Sequence, residues 1–212
     1  MKRQKIIVLD LEFLAHEPKS VVTGLGMAWG DPALEPELNY LGYRTSIDDR
    51  RNMISKGFKV HPPTEAWARD NHMDEILSAL EEKDIRRILQ EMVDKMKGFD
   101  YIFERSVGAD IPKFLSLCEA YEVPFEIPYW SIMEIRSYLA GAGATFLNLV
   151  WDEAYTKHNP VHDALMDYRR LQYAAMFKEL ERGHQQKIQF VMAGGGSIGL
   201  LEDMLIEDPT EE

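Results

Sequence analysis

Residues Lys5 to Phe13, Lys-Ile-Ile-Val-Leu-Asp-Leu-Glu-Phe, form an apolar, β-branched run that predicts a buried strand, yet the run carries two carboxylates. Side chains alternate along a strand, so Ile6, Val8, Asp10 and Glu12 share one face while Ile7, Leu9, Leu11 and Phe13 share the other. Two acids therefore project side by side at the edge of a core. Ionised carboxylates so placed repel each other and lose hydration, and either proton uptake or a bound cation relieves them. The alternative is that Asp10 and Glu12 lie just past the strand end, in water. Partners elsewhere in the chain decide between the two.

With 212 residues the chain suits one domain with a sizeable core, or one domain and a small appendage. Its 24 Lys+Arg stand against 36 Asp+Glu, a formal charge of −12. That balance argues against a surface built for tight, sequence-independent duplex binding, whose affinity comes largely from basic residues displacing counterions. A nucleic-acid enzyme remains open where divalent metals grip the phosphate and a few basic and aromatic side chains hold a short single strand. Cys118 is the only cysteine, so no intrachain disulfide and no cysteine zinc site is expected. The basic start precedes an apolar run that Asp10 interrupts, too short for a signal segment or a membrane span, and the expected location is the cytoplasm.

Further strands are expected at Val21–Trp29, closed by Gly30-Asp31-Pro32, and at Leu38–Ile47, which with the first make an antiparallel meander. A short helix bearing Trp67 follows, with Thr64 as its N-cap. Helical spacing runs from Met73 to Lys97 with a break near Glu81 to Asp84, and Gly98 stops it. Tyr101-Ile102-Phe103 reads as a central strand leading into a helix that opens at Asp110. Val123–Tyr129 reads as a fifth strand, and Ser131 with Glu134 as a capping box for the next helix, which glycines 141 and 143 end. A long helix runs from Val161 to about Arg182. Lys187–Met192 reads as a strand or an arm, and Gly194-Gly195-Gly196, without the Lys-Ser/Thr of a phosphate loop, as a hinge before an acidic end.

Asp110, after a strand and at a helix start, sits where open α/β sheets place ligands, although a helix cap would also occupy that position. Asp167 shares a helix face with Ala164, Leu171 and Ala174, the inward stripe, and a buried Asp needs a hydrogen-bonding or metal partner. His162, five residues earlier, falls off that stripe and belongs to the helix entry, where a neutral imidazole beside acids and a metal can deprotonate a water; the alternative is a polar turn residue without such a role. His158 reads as loop.

In this order, Asp10-Leu-Glu12, Asp110 and His162-Asp-Ala-Leu-Met-Asp167, the chain resembles the DEDDh group of RNase H-like 3′-to-5′ exonucleases. Its Thr64-Glu-Ala-Trp67 and Val107-Gly-Ala-Asp110-Ile-Pro112 segments look most like the phage exonuclease A (DexA) branch and its bacterial exoribonuclease relatives. The position four before Asp167, tyrosine in the sister DEDDy group, is Asp163, which favours the histidine subclass. The resemblance covers about residues 5 to 180. It implies an α/β fold with an RNase H-like mixed five-stranded sheet, strands 1–3 as a meander and strands 4 and 5 parallel, flanked by helices. Domain boundaries follow at 1–182, with 183–212 as a C-terminal arm and acidic tail that packs on a second subunit, making a homodimer, or folds back.

The resemblance further implies that Asp10, Glu12, Asp110 and Asp167 hold two Mg²⁺ or Mn²⁺ ions, with His162 as general base. Carboxylate oxygens suit such hard cations better than zinc. Phe13, Trp67 and Arg105 are the implied substrate contacts. Phe13-Leu14 stands where many members have Thr and Gly, Trp67 is alternatively a core anchor, and Arg105 alternatively an ion-pair residue. The expected activity is metal-dependent 3′-to-5′ exonuclease action on single-stranded DNA or RNA ends, releasing nucleoside 5′-monophosphates. The rivals are a non-catalytic nucleic-acid or protein-binding module on the same fold and a phosphodiesterase for small nucleotides.

Overall fold

A computed structural model describes residues 5–30, 39–106 and 108–206. Three antiparallel strands, β1 (Ile6–Phe13), β2 (Val22–Gly30) and β3 (Asn39–Arg44), form the expected meander. The expected Leu38 and the Asp31-Pro32 turn lie outside the described residues. Helices α1 (Ile47–Ser55), α2 (Pro62–Asp70) and α3 (Met73–Leu77) come next. A two-residue strand, β4 (Glu81–Glu82), then pairs parallel to β3 in the interval expected to be a bare helix break, before α4 (Ile85–Met96) resumes from its Asp84 cap. Strand β5 (Tyr101–Glu104) runs parallel to β1 and leads into α5 (Ile111–Ala120).

The expected fifth strand at Val123–Tyr129 is not formed. Pro124 and Pro128 bracket that segment and remove two ladder donors, and the strand starts only after a 3₁₀ turn, as β6 (Ile132–Glu134), parallel to β5. The sheet order is β4-β3-β2-β1-β5-β6. The capping box also differs: Ser131 Oγ donates to Pro128 O, while Glu134 itself caps α6 (Ile135–Gly141) by accepting from Ser137 N. Likewise His61, not Thr64, is the N-cap of α2, because Pro62 and Pro63 fill the first helical positions, where no N–H is needed.

The long helix α7 (Pro160–Glu179) is followed by α8 (Arg182–Ala193) and, across the glycines, α9 (Ile198–Ile206). Lys187–Met192 is thus helical, with Ile188 and Met192 one turn apart on the buried side. Residues 207–212 of the acidic end lie outside the described residues.

The sheet separates two apolar layers. Ile7, Leu9 and Leu11 pack with α4 and α5 on one side, and Ile6 and Val8 pack with α6, α7, α8 and α9 on the other. Alternation therefore aims Asp10 and Glu12 at α7. The entry of α7 reaches them because β2 and β3 are bare beneath it: a Cβ on Gly26 would lie 2.2 Å from the Pro160 carbonyl oxygen, and one on Gly42 2.0 Å from Val161 Cγ2. Among the described residues no helix is long and apolar enough to cross a membrane.

Candidate active site

β1 runs on past the end of its pairing with β5, which stops at Val8 and Phe103. The Leu11 N–H on that side is met instead by the Asp110 carboxylate at 3.3 Å. Asp110 is free to do this because it does not cap its own helix. Buried Glu104, at the end of β5, accepts from Gly108 N at 2.9 Å, Asp110 N at 3.0 Å and Ile111 N at 3.1 Å, and so satisfies the start of α5 from outside. Glu104 escaped the sequence reading because an acid at a strand end looks like a surface residue.

From the other side, α7 enters through Asn159, whose side chain accepts from Val161 N and His162 N. Its first turns bring in Asp163 and Asp167, and the carboxylate oxygens of Asp10, Glu12 and Asp163 lie within 4.8 Å of one another. In the sequence Asp163 stands out only as a mark of subclass. A residue four before Asp167 lies one turn up on the same face, which was the available signal.

Asp167 is buried and pairs with both Arg105 and Arg170. Arg170 is in turn held by Leu147 O at 2.9 Å and Val150 O at 2.6 Å. His162 Nδ1 accepts from Thr156 N at 2.9 Å, and its ring lies against Tyr155 with centroids 5.5 Å apart. His158, expected to be loop, faces the acids: its Nδ1 is 3.8 Å from Glu12 Oε1, and its ring meets the edge of Trp67 at 4.9 Å.

A cleft of about 620 Å³ is lined by Asp10, Glu12, Phe13, Trp67, Arg105, Asp110, His158 and Asp163, whereas His162 and Asp167 are not among its lining residues. Trp67 is 44% exposed, so it forms a wall rather than a core anchor. Phe13 packs edge-on to His16 and under the Lys113 ammonium, 3.9 Å from its ring centroid. Arg105 is both an ion-pair residue and a cleft residue.

The acids raise one another's pKa values. Asp10 is pushed well above the usual carboxylate range, first by burial and then by Asp110, Asp163, Glu12 and Asp167. Glu12 rises to about 9 through burial, Asp163 and Asp110. Asp110 rises to about 7 through burial and Glu104, against the opposing pull of Lys113 and the Leu11 N–H. Asp163 rises to about 6 through burial and Asp167. Burial lowers His162 and His158, keeping both imidazoles neutral near pH 7.

No protein-family profile and no curated protein sequence matches the chain. Among solved structures it is similar to E. coli ExoI in complex with single-stranded DNA. The metal-free form aligns with TM-score 0.50 and 13% identity over 89% of this chain and 42% of ExoI. The zinc-bound form aligns with TM-score 0.50 and 12% identity over 91% and 43%. The fold is similar to that of ExoI. The chain spans less than half the length of ExoI.

The donor set fits divalent cations. Three mutually repelling carboxylates, half-buried, are stabilised by positive charge placed among them, and oxygen donors favour hard octahedral ions.

Proposed function

We propose that the chain is a metal-dependent 3′-to-5′ exonuclease that shortens single-stranded DNA or RNA, of the DexA-like branch its sequence resembles. The observation that carries this reading is the set of converging carboxylates on the floor of an open, aromatic-walled cleft, in a fold similar to a nuclease crystallised on single-stranded DNA. Asp10 and Glu12 are the central ligands for Mg²⁺ or Mn²⁺, with Asp110 and Asp167 as the outer acids of the set. Divalent ions held by these carboxylates would lower the pKa of a bound water and offset negative charge on the leaving 3′-oxygen.

The chain's own groups do the rest. His162, kept neutral by burial, accepts the proton of the attacking water. Arg105 offers the scissile phosphate the guanidinium N–H groups that Asp167 leaves free. Trp67 and Phe13 stack on the terminal bases, an interaction that tolerates any base and so suits an exonuclease. The residues given these roles all fall within 1–182, and the helices after residue 182 pack on the same core.

Purified protein with Mn²⁺ is expected to shorten a 5′-labelled oligonucleotide stepwise from its 3′ end, and Asp10→Asn to abolish this while the protein still melts cooperatively. Dinucleotide, long single strand and duplex substrates, in DNA and RNA, distinguish the alternatives. Cleavage of the dinucleotide alone would show a small-nucleotide phosphodiesterase. Intact substrate under several metals, with the protein folded, would leave a binding module.

A further inference from the structure

Resting on the nuclease reading above, we propose that the strand upstream of the cleaved 3′ end leaves the cleft over Phe13, His16 and His61 and lies in a neighbouring groove, where Lys19 and Lys59 hold its phosphates. The substrate is then a single strand of several nucleotides, not a dinucleotide. The groove, of about 490 Å³, adjoins the cleft at His61, which lines both. Lys19 and Lys59 stand on its walls, with Glu17 as the one acid among its described lining residues.

A row of rings joins the two spaces. Phe13 and His16 meet edge-on with centroids 6.3 Å apart, and His16 and His61 follow at 6.4 Å. The row starts on the strand that bears Asp10 and Glu12 and ends in the groove. Its backbone is tied along the way: His61 N donates to Leu14 O at 2.7 Å, Lys59 N to Lys19 O at 2.7 Å, and Ala15 N to the buried Ser20 Oγ at 2.8 Å. Lys113, only 1% exposed, holds the row from beneath, its ammonium donating to His16 O at 3.3 Å and Ala109 O at 2.6 Å while lying over the Phe13 ring. The path is therefore set before a ligand arrives, which lowers the ordering cost of binding.

The charges at the far end favour a polyanion. In a chain with 36 Asp+Glu against 24 Lys+Arg, Lys19 and Lys59 are exposed on bonded backbone segments, and neither forms an ion pair with a carboxylate among the described residues. Cations along a groove beside rings that offer π faces are the means by which proteins hold single strands without reading their sequence. Lysine, a flexible point charge, can follow a phosphate through small shifts, which suits a strand that advances as nucleotides are removed.

Fluorescence anisotropy of labelled oligothymidylate and oligouridylate on the full chain, with Ca²⁺ in place of Mn²⁺ and over a range of salt, tests the groove apart from turnover. Lys19→Gln combined with Lys59→Gln is expected to weaken binding at least about fivefold and to reduce the slope of log affinity against log salt by about 1.4. His16→Ala combined with His61→Ala, at pH 8, is expected to weaken binding about fivefold or more and leave the slope as it is. Lys95→Gln, on α4 over Trp29 and so at the other end of β1 from the acids, is the control for net charge and should change neither. With Mn²⁺, the ratio of kcat/KM for a long strand to that for a dinucleotide should fall at least about fivefold in the lysine pair. A wild-type slope in the lysine pair overturns the proposal, as does an equal loss per lysine in Lys95→Gln or a wild-type protein that binds neither oligonucleotide. Wild-type protein that cuts dinucleotide and long strand equally well overturns the groove and leaves the metal-dependent hydrolysis standing. Strands bound through Lys19 and Lys59 but never cut would overturn the nuclease reading and leave the groove standing.

Discussion

Glu12 holds a proton up to about pH 9 because burial and the charges of Asp163 and Asp110 disfavour its ionised form. An acid with a raised native pKa binds a proton that the unfolded chain has already released, so its contribution to stability falls as pH rises from the ordinary carboxylate range to the native value. Asp110, at about 7, and Asp163, at about 6, act in the same direction over the lower part of that window. In chelator, the melting temperature is therefore expected to fall between pH 5 and pH 9, and Glu12→Gln to flatten the fall. Mn²⁺ should raise the melting temperature far more at pH 8 than at pH 5, since protons and cation compete for the same oxygens. Calorimetry across pH with and without Mn²⁺ checks both. A profile that rises steadily to pH 9 in chelator would show that the acids are not mutually strained.

At the scale of elements, the site depends on how closely α7 lies on β2 and β3. Gly26→Ala places a methyl 2.2 Å from the Pro160 carbonyl oxygen, backbone against backbone, and neither strand nor helix entry can give way cheaply. Overpacking of this kind costs about 1–3 kcal/mol. The expected result is a drop of several degrees in melting temperature together with weaker Mn²⁺ binding, because the displacement carries Asp163 away from Asp10 and Glu12. Gly57→Ala, at a positive-φ turn with open space around the added carbon, is the control for backbone cost alone. Equal loss of metal affinity in both variants would sever the link between helix seating and the acids.

For the molecule as a whole, α8 and α9 bury Ile188, Met192, Leu201, Met204 and Leu205 in the same apolar layer as Val161, Leu165 and Leu171 of α7. Ending the chain at residue 182 removes that cover from the helix that bears Asp163 and Asp167. Each large apolar side chain taken from a core costs about 2–5 kcal/mol, so the truncated protein is expected to melt much lower or to aggregate. The milder Leu201→Ala should lower the melting temperature while leaving Mn²⁺ affinity near wild type. A fully stable, monodisperse 1–182 fragment would show that the terminal helices are dispensable to the fold.

The framework was legible where local chemistry and tertiary demand agree. The β1 run, the meander, the strand before Asp110 and the long α7 all follow from periodicity, and the two acids on one face of β1 follow from alternation alone. The segment at Val123–Tyr129 misled because strand-forming residues outweighed two prolines, and Lys187–Met192 because its aromatic and β-branched residues concealed a one-turn spacing. What sequence determined by itself was which side chains share a face, since that depends only on the geometry of one element. Which acids meet, that Asp163 joins Asp10 and Glu12 while Asp167 turns to Arg105 and Arg170, and that His158 faces the cleft were decided by tertiary structure. Those pairings depend on how closely α7 settles on a glycine-bared sheet and on where each charge finds its partner, and neither is a property of a single segment.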